Sequence, residues 1–218
     1  MLSLNLLKWA TTMQSMTSRT GAAVALALSL LAIEPVVAFS TAAAQGKLVI
    51  EPVAEAKLKQ LPPGPLYWRI ETFATLAAAR AAAGPTSLPA EVAGKVWLFT
   101  LGPKGRSSAG GSEVTEVGPI PPLAAPEYLL RINRATGPPG ATTAVHSHPG
   151  SEAFYVLAGR MSQRTPHGTM DVEVGQSVPG HGADTPMQVS SSGKVDLDQL
   201  VMFVVDATRP FSSPAKFE

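Results

Sequence analysis

Two histidines two residues apart, His146 and His148, stand in an apolar segment that runs into Pro149-Gly150, and Glu152 opens the apolar run behind it. In an extended chain residues i and i+2 share a face, so the two imidazoles point the same way. Pro-Gly reads as a turn. Glu152 then begins a second strand with Phe154 and Val156 on its own side. Such a pattern needs two strands that carry polar groups inward against an apolar wall. Two imidazoles and a carboxylate brought to one point are a ligand set for Fe(II), Mn(II), Ni(II) or Zn(II).

The surrounding chain reads as short strands separated by Gly and Pro. Leu66–Glu71, Lys95–Leu101, Glu113–Val117 and Glu127–Asn133 precede the histidines, and Arg160–Arg164, Met170–Val174, Thr185–Ser190 and Leu200–Val205 follow. Residues 45–65 read as a mixed stretch ending in the rigid connector Leu61-Pro-Pro-Gly-Pro65. One helix is expected, over TLAAARAAA at 75–83, with Thr72 or Thr75 as its cap and Gly84-Pro85 as its stop. Roughly ten strands with a single helix indicate an all-β antiparallel sandwich or small barrel. Its helix is expected to pack on the outside.

Composition narrows the chemistry. The chain is 45% hydrophobic and 15% charged with a net charge of +1, so a real core is available and no nucleic-acid or acidic-surface partner is suggested. There are no cysteines, which excludes disulfides, thiolate metal sites and cysteine nucleophiles. Gly102–Gly111 lacks a phosphate-loop pattern. Ser191–Lys194 and Ser213–Lys216 fit a serine–lysine spacing without its partner motifs.

Residues 21–33, GAAVALALSLLAI, follow Arg19 and precede the small residues Thr41–Ala44. That order is the one of a secretory signal, short for a membrane span of about 20 residues, with an uncleaved anchor as the alternative. The expected organisation is a signal peptide at 1–44, an N-terminal extension with outer strands and the helix at 45–125, and the barrel core at 126–218. Cleavage near Ala44-Gln45 would make the protein periplasmic or secreted, with no membrane attachment afterwards.

The segment Gly140 to Gly159 resembles the first motif of the cupin superfamily, G(X)5HXH(X)3-4E(X)6G. Gly140, His146, His148, Glu152 and Gly159 stand at every fixed position. The resemblance implies an antiparallel β-barrel of jelly-roll type and a divalent metal (Fe, Mn, Ni or Zn) inside it. The family's second motif, G(X)5PXG(X)2H(X)3N, is not matched. After Gly175 come Pro179-Gly180-His181 and Pro186-Met187. Either His181 supplies a further ligand, or Met187 stands at the ligand position as an apolar wall, or His146, His148 and Glu152 form a bare facial triad. His167 sits in a turn and reads as solvated.

The function implied is metal-dependent chemistry on a small organic molecule, of oxygenase, isomerase or decarboxylase type. Glu152 serves as ligand or general base, and Phe154, Val156 and Met187 line the pocket. The alternative is a non-catalytic cupin that holds a metal or a small ligand, and a homodimer is compatible with either. An open cavity at the site favours catalysis or ligand binding. A closed site without one favours a structural role.

Overall fold

The computed structural model describes residues 46–217 apart from Arg106. The expected export signal lies outside them. In chain order the elements are β1 (Val49–Leu58), β2 (Tyr67–Phe73), α1 (Leu76–Ala82), β3 (Ser87–Val92), β4 (Lys95–Gly102), β5 (Ser112–Val117), β6 (Tyr128–Gly137), β7 (His146–Ser147), β8 (Gly150–Ala158), β9 (Arg160–Thr165), β10 (Gly168–Glu173), β11 (Ser177–Pro179), β12 (Gln188–Ser191), β13 (Leu197–Asp206) and β14 (Ser213–Pro214).

A five-stranded antiparallel sheet, β1-β6-β13-β8-β11, occupies the middle. Side chains alternate along its strands, so the inner strands β6, β13 and β8 each serve two cores. Leu130, Ile132, Ala153, Leu200, Met202 and Val204 face the four-stranded sheet β3-β4-β2-β5 and pack on Trp68, Ile70, Trp97 and Phe99. Their neighbours Phe154, Val156, Val201, Phe203 and Val205 face the other way, toward Met161, Val172 and Val189 of the three-stranded sheet β10-β9-β12. Near-continuous apolar runs such as Leu200–Val205 follow from this burial on both faces.

The strands form four separate ladders, not one closed barrel. The expected all-β, antiparallel character holds, while the closed jelly roll is not what these ladders make. α1 lies where the sequence puts it: Thr75 caps it, its hydroxyl accepting from the Ala78 N–H at 3.1 Å. Ala79 is buried against Phe73 and Leu98.

Two corrections concern the strands. The stretch before the Pro-rich connector contains β1, a ten-residue edge strand paired with β6. Its exposed face and Pro52, at a register shift, hide it from alternation rules; an edge is where a sheet tolerates proline. The histidine strand is only the pair His146–Ser147, held by β14 at the C-terminal end of the described chain.

Candidate functional site

The motif's first and last glycines have a backbone reason. Gly140 and Gly159 take φ of 83° and 73°, where a side chain is strained. A Cβ on Gly159 would also come within 2.6 Å of the Asp196 carbonyl oxygen. These two turns set the ends of the segment that carries His146, His148 and Glu152.

All three side chains line one cavity of about 340 Å³ on the second face of the central sheet. Its wall is mostly apolar and includes Leu48, Ala135, Phe154, Val201, Phe203 and Phe211. Ile50, Ala144 and Ser212 are exposed and also line it, so the cavity reaches solvent there. The volume suits a small ligand.

Each histidine is tied to a backbone carbonyl. Nδ1 of His146 donates to the Ala144 oxygen at 2.8 Å, and Nδ1 of His148 to the Phe211 oxygen at 2.6 Å. A carbonyl oxygen only accepts, so Nδ1 carries the proton in both rings. In the neutral imidazole that leaves Nε2 as the nitrogen with a free lone pair. The two ring centres are 5.0 Å apart and the rings nearly perpendicular. His148 lies against Phe203 and Phe211, and burial pushes its pKa down to about 4.

Glu152 sits at the floor of the site on β8, with almost no exposed surface. Burial pushes its pKa up to about 8, against the opposing effect of a 2.5 Å hydrogen bond that Gln163 Nε2 donates to Oε1. Without a cation beside it, the carboxyl keeps its proton near neutral pH.

The donors fit a divalent metal in kind: two imidazoles with Nδ1 fixed on carbonyls and one carboxyl, the arrangement in which ligating histidines are usually held. Among the described residues, however, no three His, Asp or Glu side chains are gathered closely enough to hold an ion.

Of the remaining expected site residues only Phe154 lines the cavity, while Val156, Met187 and His181 do not. Val156 is buried in the same core without lining it. Met187 is buried opposite His146, the two residues exchanging backbone hydrogen bonds, and its sulfur lies 3.4 Å from Gln163 Nε2. His181 does not line the cavity; its ring lies 5.5 Å from that of His167.

An HxH pair and a glutamate at cupin spacing thus face a single cavity beside a three-stranded sheet. That spacing is the one that resembles the first cupin motif. No family model matches the chain, and neither does any curated protein. Among solved structures, the chain is similar to a cupin-like protein of Thermotoga maritima, at 16% identity and a TM-score of 0.36, over 40% of this chain and 65% of that one. A Cupin 2 conserved barrel domain protein of Salinispora arenicola is similar at 16% identity and TM-score 0.32, over 36% and 65%. The polyketide cyclase RemF of Streptomyces resistomycificus is similar at 20% identity and TM-score 0.34, over 41% and 62%. The chain therefore spans less than two thirds of each of these structures.

Several residues at this site were missed in the sequence reading. Gln163, which holds Glu152, lies on β9 and carries no motif. Asn133 and Gln199 line the cavity from β6 and β13. Gln199 had a signal, being the polar residue in a register of β13 otherwise held by Leu197, Val201, Phe203 and Val205; Asn133 had none, because Arg131 shares its register on β6. Phe211 had none, because its place depends on β14 folding back onto β7.

Proposed function

We propose that the protein binds one divalent metal ion through His146, His148 and Glu152 and acts on a small organic molecule in the adjoining cavity. The observation that carries this reading is the pair of Nδ1 contacts. They leave Nε2 of both imidazoles as the nitrogen able to ligate a metal, on the wall of a cavity open to solvent. A bound Fe, Mn, Ni or Zn ion would supply Lewis-acid polarisation or, for a redox metal, oxygen chemistry. Glu152 would give up its proton as the ion binds, and Gln163 would keep the carboxylate oriented. The apolar wall excludes water from the reacting atoms. Of the ligand sets the sequence leaves open, this geometry favours the bare triad, since His181 lies off the cavity and Met187 offers only a thioether.

Elemental analysis of protein purified without a histidine tag, followed by titration with each metal, tests the reading. One equivalent per chain is expected, lost in His146→Ala and in His148→Ala while the β structure persists. Full occupancy in either variant overturns the assignment.

One observation favours the second reading, a non-catalytic small-ligand binder: the three donors are not gathered to a common point. Stoichiometric ligand binding by protein that takes up no metal would select it.

Export belongs to the same proposal. Mass spectrometry of the mature protein in its own host should find residues 1–44 removed. No helix among the described residues is long and apolar enough to cross a membrane.

A further inference from the structure

Two amide oxygens on the cavity wall have no hydrogen-bond partner. Asn133 and Gln199 are 3% and 1% exposed, both line the cavity, and Asn133 Oδ1 and Gln199 Oε1 are buried without a hydrogen-bond partner. A buried polar group left unpaired is destabilising, and here the wall carries two side by side. Val201 is the cross-strand partner of Asn133, and Gln199 lies two residues earlier on the same face of β13. The amides are therefore diagonal neighbours, roughly 7–8 Å apart at the backbone. Each amide can turn about its last bond and offer either an oxygen or an N–H.

The rest of the cavity limits what they can bind. Phe203 and Phe211 meet edge to face with ring centres 5.0 Å apart, and both touch His148. A flat ring adds to such a cluster in stacked or edge contact. No lysine or arginine lines the cavity; Arg131 stands behind Phe211, its guanidinium 4.3 Å from the ring centre, but is paired with Glu55, so no free fixed cation balances a carboxylate or phosphate there.

We infer that the ligand is an uncharged aromatic molecule with two hydroxyl groups set apart on its ring, gripped by Asn133 and Gln199 and stacked by Phe203 and Phe211. This names the ligand class for the site proposed above and rests on that reading for its place beside the metal. The amide grip itself does not need the ion.

Three probes of one size separate the possibilities in metal-stripped protein: resorcinol, m-xylene and benzoate. Resorcinol does not chelate, so its binding is independent of the metal. Calorimetry should show saturable binding of resorcinol and weaker binding of the other two. Asn133→Leu and Gln199→Met should each weaken resorcinol about five- to tenfold, the loss of one hydrogen bond. They should tighten m-xylene and should not lower the melting temperature, since each removes an unpaired polar group.

Equal or tighter binding of m-xylene or benzoate by the unaltered protein overturns the inference, whether or not the variants fold. So does unchanged resorcinol affinity in either variant. A loss of melting temperature in both would assign the amides to the fold instead. The outcomes for the two proposals are distinct. Metal uptake without amide-dependent resorcinol binding sinks only this inference, and amide-dependent binding without metal uptake sinks only the metal reading.

Discussion

The two faces of the central sheet are made by the same strands and do opposite work. Toward β2–β5 the alternating positions are Leu130, Ile132, Ala153, Leu200, Met202 and Val204, all apolar, meeting two tryptophans and Phe99. One residue along, the same strands present Asn133, Glu152 and Gln199 among Phe154, Val201 and Phe203. The first face is a dry core whose contribution is burial. The second carries polar groups that water cannot reach freely, around a cavity. A period-two backbone lets one sheet keep these roles one residue apart. Stability built on one face can then support unsatisfied polar groups on the other.

The strongest test of this division removes bulk from each face. Phe99→Ala should cost about 3–5 kcal/mol in denaturant unfolding, because the void has no solvent path and its neighbours are packed. Phe203→Ala should cost less, since its ring already borders the cavity, while ligand binding suffers more. Equal losses would mean that the second face is as tightly packed as the first.

Proton linkage gives the next largest effect. In metal-free protein Glu152 has its pKa raised to about 8, so its contribution is whole below about pH 4.5 and lost as pH rises toward 8. His148 has its pKa lowered to about 4, so its contribution is whole above about pH 6.5 and lost as pH falls toward 4. Between 4.5 and 6.5 the two slopes cancel. From 6.5 to 8 stability should fall, by on the order of 2 kcal/mol. Glu152→Gln should remove that alkaline limb and keep the acid one. An unaltered alkaline limb in the variant would show that Glu152 is not the group responsible.

Met187→His sharpens the comparison at the site. A third imidazole opposite His146 should tighten metal binding about tenfold or more, and should lower activity by filling a position a substrate or water needs. Unchanged affinity in a metal titration would mean that position 187 does not face the ion. The smallest effect is at the far edge of the molecule. Thr75→Ala removes the cap of α1 and should cost about 1 kcal/mol in thermal unfolding, leaving the cavity untouched.

Much of the cavity-bearing half was legible in the chain. The turn glycines, the HxH pair and Glu152 with Phe154 on its own face are local patterns, and they fall where period and turn chemistry put them. β1 was not legible: its edge position lets it expose Val49 and Ile50 and carry Pro52, which erases alternation. Gln163 and Phe211 were not legible either, because each acts on a residue 11 or 63 positions away through a contact that exists only after the sheets pack.

The sequence alone determined which residues bear the chemistry: two imidazoles, one carboxyl, no thiol, and strands with enough apolar residues to bury them. Tertiary structure decided their state. Packing against Phe203 and Phe211 keeps His148 neutral, and the backbone carbonyls of Ala144 and Phe211 choose the tautomers. Depth holds the proton on Glu152. Protonation and hydrogen bonding depend on what surrounds a group in space, and these surroundings come from strands far apart in the chain.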